Sequence, residues 1–236
     1  MKGFVFDLDN TLYDRYGTIG AFLKMGWDKA RPYINPAYDY EKALSHICHT
    51  EALFVQSGWR PVYEHLVSEH CFHPGNIPSF EQFYDFTFHG FYSVAVNHPY
   101  TERVLKKLKE EGYLLAIITN AVDVAYQRNK IKMLGIGHYF DRIVIAGEYS
   151  EQMCGDGQNK RYFKPEVPIF HHTAELLQAA PGELYYVGDN AFVDVKGAVD
   201  AGYEPVWISS RSPWPFADCP MPQHSFETIE GLLSLI

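Results

Sequence analysis

Long apolar runs, a surplus of basic residues and paired cysteines are all missing from this sequence of 236 residues. A spanning helix needs about 20 consecutive apolar residues, so the chain is expected to have no membrane partner. The formal net charge is −9, and an acidic chain lacks the basic patches that broad nucleic-acid binding requires. We therefore expect neither a membrane nor a nucleic acid as partner.

The cysteines are too scattered to form a metal-binding C-x-x-C pair or a disulfide framework. They are Cys48, Cys71, Cys154 and Cys219. Aspartates at positions 7 and 9 interrupt the start of the chain, where a secretory signal would need an uncharged apolar segment. These features together predict reduced thiols and a cytoplasmic protein.

Short apolar runs and helical patterns alternate along most of the chain, which predicts an α/β fold with a doubly wound, Rossmann-like parallel sheet. The apolar runs are residues 3–6, 113–118, 142–146, 184–187 and 205–208. The helical patterns cover residues 101–111, 123–134, 166–179 and 192–201, with Thr101 as a candidate N-cap.

One gap interrupts this alternation, because no second buried strand occurs between Leu12 and His98. Structureless loops longer than about 15 residues are rare, so the stretch is predicted to be a folded insertion. Helical segments are expected around residues 40–55, 60–69 and 80–92. The predicted domains are an α/β core of residues 1–14 and 97–236 and an α-helical cap of residues 15–96.

Polar side chains stand at the ends of three predicted strands, at Asp7, Thr119 and Asp189. Ligands of open α/β sheets bind in the crevice beyond the carboxyl ends of the strands. Asp9 adds a second carboxylate two residues after Asp7. One carboxylate can act as a nucleophile, while another can protonate a leaving alkoxide and then deprotonate an attacking water.

Four segments in order resemble the motifs of the haloacid dehalogenase (HAD) superfamily. They are Asp7-x-Asp9-x-Thr11-Leu12, Ile117-Ile118-Thr119-Asn120, Lys164-Pro165-Glu166 and Gly188-Asp189-x-x-x-x-Asp194. The insertion between the first and second motifs is similar to the helical-cap, phosphatase-like subgroup. The chain departs from the family pattern at residues 148–161, a longer and more polar stretch that predicts a surface loop.

The resemblance implies a Mg²⁺-dependent phosphatase that acts on a small phosphorylated metabolite through an aspartyl-phosphate intermediate. Asp7 would be the nucleophile and Asp9 the general acid and base. Thr119 would bind the phosphoryl group together with Asn120, and Lys164 would hold both Asp7 and the phosphoryl oxygens.

The same resemblance implies a Mg²⁺ site formed by Asp7, the backbone carbonyl of Asp9 and Asp189. Asp194 would hold groups that bind the metal without binding it directly, or it would orient Lys164. Electrostatics favour this assignment, because two unit charges 4 Å apart repel by about 4 kcal/mol at an effective dielectric near 20. Lys164 alone cannot neutralise four carboxylates, whereas a hard divalent cation with oxygen ligands can.

Three alternatives remain open from the sequence. A phosphomutase of the same superfamily would also use both aspartates of the first motif. A haloacid dehalogenase would need Asp7 but neither Asp9 nor a metal. A non-enzymatic regulator that binds phosphate and Mg²⁺, as receiver domains do, would need no general acid.

Overall fold

A computed structural model describes residues 1–54, 58–94, 97–154, 162–209, 214–215 and 221–236. Contacts divide the chain into two compact units. The sheet unit comprises Met1–Asp14 and Asn97–Ile236, and the helical unit comprises Arg15–Val96.

The helical unit consists of helices that pack around aromatic and aliphatic side chains. Its helices are α1 (Arg15–Met25), α2 (Trp27–Ala30), α3 (Tyr40–Leu53), α4 (Trp59–Ser68) and α5 (Phe80–Val94), with a 3₁₀ turn at Arg31–Tyr33. Helix α1 was not predicted, and it contributes the buried Phe22, whose ring meets Phe86 of α5 edge-on at 5.9 Å between centroids. Cys71 is a buried free thiol and Cys48 is half-buried, whereas Cys219 and the side chain of Cys154 lie outside the described residues. Across the described ranges, no helix is long and apolar enough to cross a membrane.

The sheet unit is built on a parallel sheet, which confirms the predicted fold class. Its strands are β1 (Gly3–Phe6), β2 (Leu114–Thr119), β3 (Arg142–Ile145), β4 (Leu184–Gly188), β5 (Glu204–Ile208) and β6 (His224–Phe226). Within the described residues they form one six-stranded sheet in the order β3-β2-β1-β4-β5-β6. Every pairing between neighbours is parallel. Strand β6 was not predicted, because its three residues are only half-buried.

Strand β1 lies at the centre of the sheet, and all four of its residues are buried. Phe6 stands in register with Ile117 of β2 on one side and Val187 of β4 on the other. A strand that is apolar on both faces suits a sheet covered on both sides. The carboxyl ends of β2, β1 and β4 therefore lie side by side at one edge of the sheet.

The helices of the sheet unit follow the strands in alternation. They are α6 (Thr101–Glu110), α7 (Val124–Met133), α8 (Ala146–Cys154), α9 (Val167–Leu176), a π-helix (Ala191–Lys196) and α10 (Gly197–Asp200), with 3₁₀ turns at Gly137–Tyr139, Pro181–Glu183 and Ile229–Ser234. Gly135 after α7 and Gly202 after α10 have φ angles of 70° and 79°. Both glycines adopt the left-handed backbone that commonly ends a helix.

Two local predictions were wrong. Tyr100, not Thr101, occupies the N-cap of α6, and the Thr101 hydroxyl donates instead to the carbonyl oxygen of Leu12 at 2.6 Å. The expected surface loop at residues 148–161 begins as helix α8, whose Tyr149 is buried in the core of the sheet unit. Residues 155–161 of that stretch lie outside the described residues.

Candidate active site

Three carboxylates meet at the carboxyl edge of the sheet. Asp7 follows β1, Asp189 follows the neighbouring β4, and Asp194 lies in the π-helix that comes next in the chain. One ligand atom from each of the three lies within 4.8 Å of the others. The adjacent ends of β1 and β4 are also where the chain order reverses, since β2 and β3 lie on one side and β5 on the other. Open α/β sheets bind their ligands at such switch points.

The ammonium group of Lys164 joins two of these carboxylates. Lys164 Nζ donates to Asp7 Oδ1 at 2.6 Å and to Asp194 Oδ1 at 2.7 Å. Its third hydrogen bond goes to the Tyr186 hydroxyl at 2.8 Å, which in turn donates to Asp194 Oδ1 at 3.2 Å. The side chain of Lys164 is 1% exposed, and all three donors of its ammonium group therefore have partners.

Asn120 fixes the backbone that carries this lysine. Its amide nitrogen donates to the carbonyl oxygen of Lys164 at 3.0 Å, and its amide oxygen accepts from the Lys164 N–H at 2.9 Å. Asn120 directly follows β2. The paired hydrogen bonds therefore tie the end of β2 to the segment that precedes α9, although 44 positions separate the two residues.

Asp194 lies on the π-helix Ala191–Lys196, whose N-cap is Asn190. The Asn190 side chain caps this helix by accepting from the N–H groups of Phe192 and Val193. The Asn190 N–H donates to Asp194 Oδ2 at 3.0 Å. Both oxygens of Asp194 are therefore bonded within the protein, which suits a positioning role better than direct metal binding.

Asp9 belongs to a second cluster of side chains. Lys130 Nζ donates to Asp9 Oδ1 at 2.8 Å and to Oδ2 at 3.2 Å. The Tyr13 hydroxyl donates to Asp9 Oδ1, and Gln127 Nε2 donates to Oδ2 at 3.1 Å. Gln127 also donates to the Thr119 hydroxyl at 2.6 Å. Thr119 is thus connected to Asp9 through one amide group.

Burial controls the ionisation of the carboxylates near Lys164. Burial raises the pKa of Asp7 from 3.8 to about 7; Lys164 partly opposes the increase, while Asp194 and Asp9 add to it. Burial, followed by repulsion from Asp194 and Asp7, raises the pKa of Asp189 well above its usual value. Burial alone would lower the pKa of Lys164, but the attraction of Asp194 and Asp7 is larger and the pKa rises.

The charges of this cluster fit a divalent cation. Asp7, Asp189 and Asp194 carry three negative charges when ionised, and Lys164 supplies one positive charge. Two negative charges remain, in a buried place where unpaired charge is costly. A hard cation with oxygen ligands, such as Mg²⁺, would compensate them.

Four residues of these clusters were not predicted from the sequence. They are Tyr13, Gln127, Lys130 and Tyr186. One signal was available for two of them, because Gln127 and Lys130 are three positions apart and therefore share one face of α7. The structure buries that face.

A model of the haloacid dehalogenase-like hydrolase family matches residues 1–202. The N-acylneuraminate-9-phosphatase of Rattus norvegicus is 28% identical over an alignment that spans 100% of this chain and 94% of that protein. The phosphoserine phosphatase of Thermus thermophilus is 34% identical over 47% of this chain and 40% of its own length.

Solved structures share the fold at low sequence identity. A HAD phosphatase from Thermococcus onnurineus is 24% identical, with a TM-score of 0.64 and coverage of 100% of this chain and 97% of the other. The magnesium-bound HAD-hydrolase YfnB from Bacillus subtilis is 16% identical, with a TM-score of 0.73 and coverage of 99% and 97%.

Proposed function

The chain belongs to the haloacid dehalogenase-like hydrolase family, and from that premise we propose that it hydrolyses phosphate monoesters through a phosphoaspartate on Asp7, with Mg²⁺ bound. Its curated relatives are phosphatases, and the chain is a hydrolase of that type. One observation carries the proposal for the mechanism: Asp7 lies among Lys164, Asp189 and Asp194, while Asp9 is held separately by Lys130. That separation suits two carboxylates with different roles.

In the first step, the Asp7 carboxylate attacks phosphorus and the bond from phosphorus to the ester oxygen breaks. Asp9 gives its proton to the departing alkoxide, which leaves as an alcohol. In the second step, Asp9 takes a proton from water, and the resulting hydroxide attacks the phosphorus of the phosphoaspartate. The bond from phosphorus to the Asp7 oxygen then breaks, which releases inorganic phosphate, restores the Asp7 carboxylate and leaves Asp9 protonated for the next turnover.

The phosphoryl oxygens would be bound by Thr119, Asn120 and Lys164. Thr119 Oγ1 accepts from Gln127, so its own hydroxyl hydrogen can be donated to a phosphoryl oxygen. Asn120 would contribute its backbone N–H, since its side chain bonds the backbone of Lys164. Lys164 would share its positive charge between Asp7 and the substrate.

Asp7, the carbonyl oxygen of Asp9 and Asp189 would hold the Mg²⁺. When bound, the ion would stabilise negative charge on the transferring phosphoryl group. Asp194 would keep Lys164 directed at Asp7, which its hydrogen bond to that lysine supports.

We propose that the substrate is a small phosphorylated metabolite and that residues 15–96 form the cap domain that selects it. The names of the relatives provide a starting panel. It contains N-acylneuraminate 9-phosphate, phosphoserine and glyceraldehyde 3-phosphate.

The test is phosphate release from this panel, with Mg²⁺ and with EDTA, by the wild-type protein and by Asp7→Asn. We expect the wild type to release phosphate only with Mg²⁺ and the variant to release none. Acid quenching of the wild-type reaction should trap a phosphopeptide that contains Asp7. Metal-independent halide release from 2-haloacids would favour the dehalogenase alternative instead. An isomerised sugar phosphate would indicate a mutase, and Mg²⁺ binding without turnover would favour a regulator.

A further inference from the structure

Lys130 is a buried lysine that no motif of the sequence singled out. It lies on α7, and its side chain is 2% exposed. Lysine is almost never fully buried unless its charge is paired. The partner of Lys130 is Asp9, 121 positions away in the sequence, whose side chain is 15% exposed.

The Asp9 carboxylate accepts hydrogen bonds on both of its oxygens. Oδ1 accepts from Lys130 and Tyr13, and Oδ2 accepts from Lys130 and Gln127. The Tyr13 hydroxyl also accepts from Lys130 Nζ at 3.1 Å. An ionised carboxylate has about four acceptor sites, so these donors fix both the position and the rotation of the ionised group. When Asp9 carries the proton that it transfers, one of its oxygens becomes a donor and gives up such a contact, while the remaining donors keep the group in place.

The orientation of Gln127 follows from its two partners. A carboxylate only accepts, so the amide nitrogen of Gln127 must face Asp9. The same nitrogen lies 2.6 Å from Thr119 Oγ1. Gln127 therefore sets the relative position of Asp9 and of the hydroxyl at the end of β2.

Lys164 and Lys130 form ion pairs with different carboxylates. Lys164 bonds Asp7 and Asp194, whereas Lys130 bonds Asp9. Lys164 precedes α9 and Lys130 lies within α7. The lysine that holds Asp9 is thus not the lysine that holds Asp7.

We propose that Lys130 is the positioning residue of Asp9 and that, with Tyr13 and Gln127, it aims this carboxyl group at the leaving oxygen of the substrate. The inference rests on the proposed function, because it assigns Asp9 to proton transfer. The competing explanation is a purely structural ion pair, which would stabilise the sheet unit without affecting any single chemical step.

The experiment compares kcat/KM for two esters in the holoenzyme with Mg²⁺. p-Nitrophenyl phosphate releases a nitrophenolate that needs no proton at neutral pH, whereas an alkyl phosphate releases an alkoxide that does. The variants are Lys130→Met and Asp9→Asn. Lys132→Met, an exposed lysine on the same helix, is the matched control.

We expect Asp9→Asn and Lys130→Met to lower kcat/KM for the alkyl ester by about 10²-fold or more, the usual contribution of a general acid. Their kcat/KM for the nitrophenyl ester should change only a few-fold. The parameter kcat/KM covers the steps up to departure of the leaving group, and nitrophenolate departs without needing a proton. Lys132→Met should match the wild type on both esters. Tyr13→Phe keeps the buried ring and removes one donor, so it should show the same selective loss on a smaller scale.

Equal losses on both esters in Lys130→Met and Tyr13→Phe, beside a selective loss in Asp9→Asn, would overturn the inference and leave the proposed function intact. A rise in alkyl-ester activity in these two variants would also overturn it. If Lys130→Met does not fold, Tyr13→Phe decides the question by the same comparison. A wild-type protein that hydrolyses neither ester would instead contradict the proposed function.

Discussion

Gly188 and Asp194 approach each other so closely that a Cβ atom at position 188 would lie 2.5 Å from Asp194 Oδ2. Gly188 is the last residue of β4, and its contact is with the carboxylate that bonds Lys164. The glycine before Asp189 is therefore required by space and not by an unusual backbone angle.

Gly188→Ala should displace Asp194 and, through it, Lys164. Overpacking of a tight site costs about 1–3 kcal/mol, and we expect a loss of that size together with a large fall in phosphatase activity. Thermal unfolding and phosphate release measure the two effects. Gly182→Ala is the control, since its added Cβ would meet no atom nearer than 3.8 Å; equal behaviour of the two variants would contradict the steric explanation.

Asp189→Asn should make the metal-free protein more stable. Burial and the neighbouring Asp194 and Asp7 oppose the charge of Asp189, and asparagine removes that charge. For a chain of this length, about 1 kcal/mol corresponds to a Tm increase of roughly 2–4 °C. Mg²⁺ should raise the Tm of the wild type and leave that of the variant nearly unchanged, as differential scanning fluorimetry would measure. The surface change Asp200→Asn serves as control. If the Tm of Asp189→Asn still rose with Mg²⁺, Asp189 would not be a metal ligand.

The stabilisation by Mg²⁺ should depend on pH. The Asp7 pKa is raised to about 7, so between about pH 4 and pH 7 the folded protein holds a proton that the unfolded chain has released. The contribution of Asp7 to stability therefore falls as pH rises through this window.

In the proposed mechanism Mg²⁺ binds the ionised Asp7 carboxylate, so it would have to displace that proton at lower pH. Its apparent affinity should fall by up to about tenfold for each pH unit below 7. A Mg²⁺ titration followed by Tm should thus show a larger shift near pH 8 than near pH 5.5. The same shift at both values would show that Asp7 is not a ligand with a raised pKa.

Tyr186→Phe should weaken the Lys164 cluster without changing its charge. The variant loses the hydroxyl that accepts from Lys164 and donates to Asp194. Leaving buried polar groups unpaired costs about 1–3 kcal/mol, and chemical denaturation would measure that loss of stability. We also expect kcat to fall, because the Lys164 ammonium group would be held less firmly. Tyr185→Phe, on the neighbouring and half-buried position of β4, should stay within about 0.5 kcal/mol of the wild type. Comparable losses in both variants would argue against a specific role for the Tyr186 hydroxyl.

The central strands of the sheet could be predicted from local sequence patterns. Each central strand is a run of buried apolar residues that stops at a polar one, as Phe6 stops at Asp7 and Val187 precedes Gly188 and Asp189. Parallel strands place their carboxyl ends together, so the meeting of Asp7 with Asp189 follows from the fold class. Strand β6 carries no such pattern, because its residues are only half-buried.

Lys130 could not be located by the same reasoning. A lysine within a helix normally extends into solvent, and the spacing that places Lys130 on the same face of α7 as Gln127 does not show that this face is buried. The burial of Lys130 arises only within the folded sheet unit, where α7 brings Lys130 to Asp9. Burial of a charged residue depends on a partner that is distant in the sequence, which periodicity does not reveal.

The chain leaves the sheet unit just after Tyr13 and returns at Asn97, and these two residues form an antiparallel bridge. Paired Cα atoms of such a bridge are only about 5 Å apart, so a short turn could replace everything between them. Tyr13 also donates to Asp9. Replacing residues 15–96 by the corresponding segment of another protein would therefore attach that segment next to Tyr13, the residue proposed to position Asp9. A poorly fitted junction is expected to lower activity on every substrate before it changes which substrate is preferred.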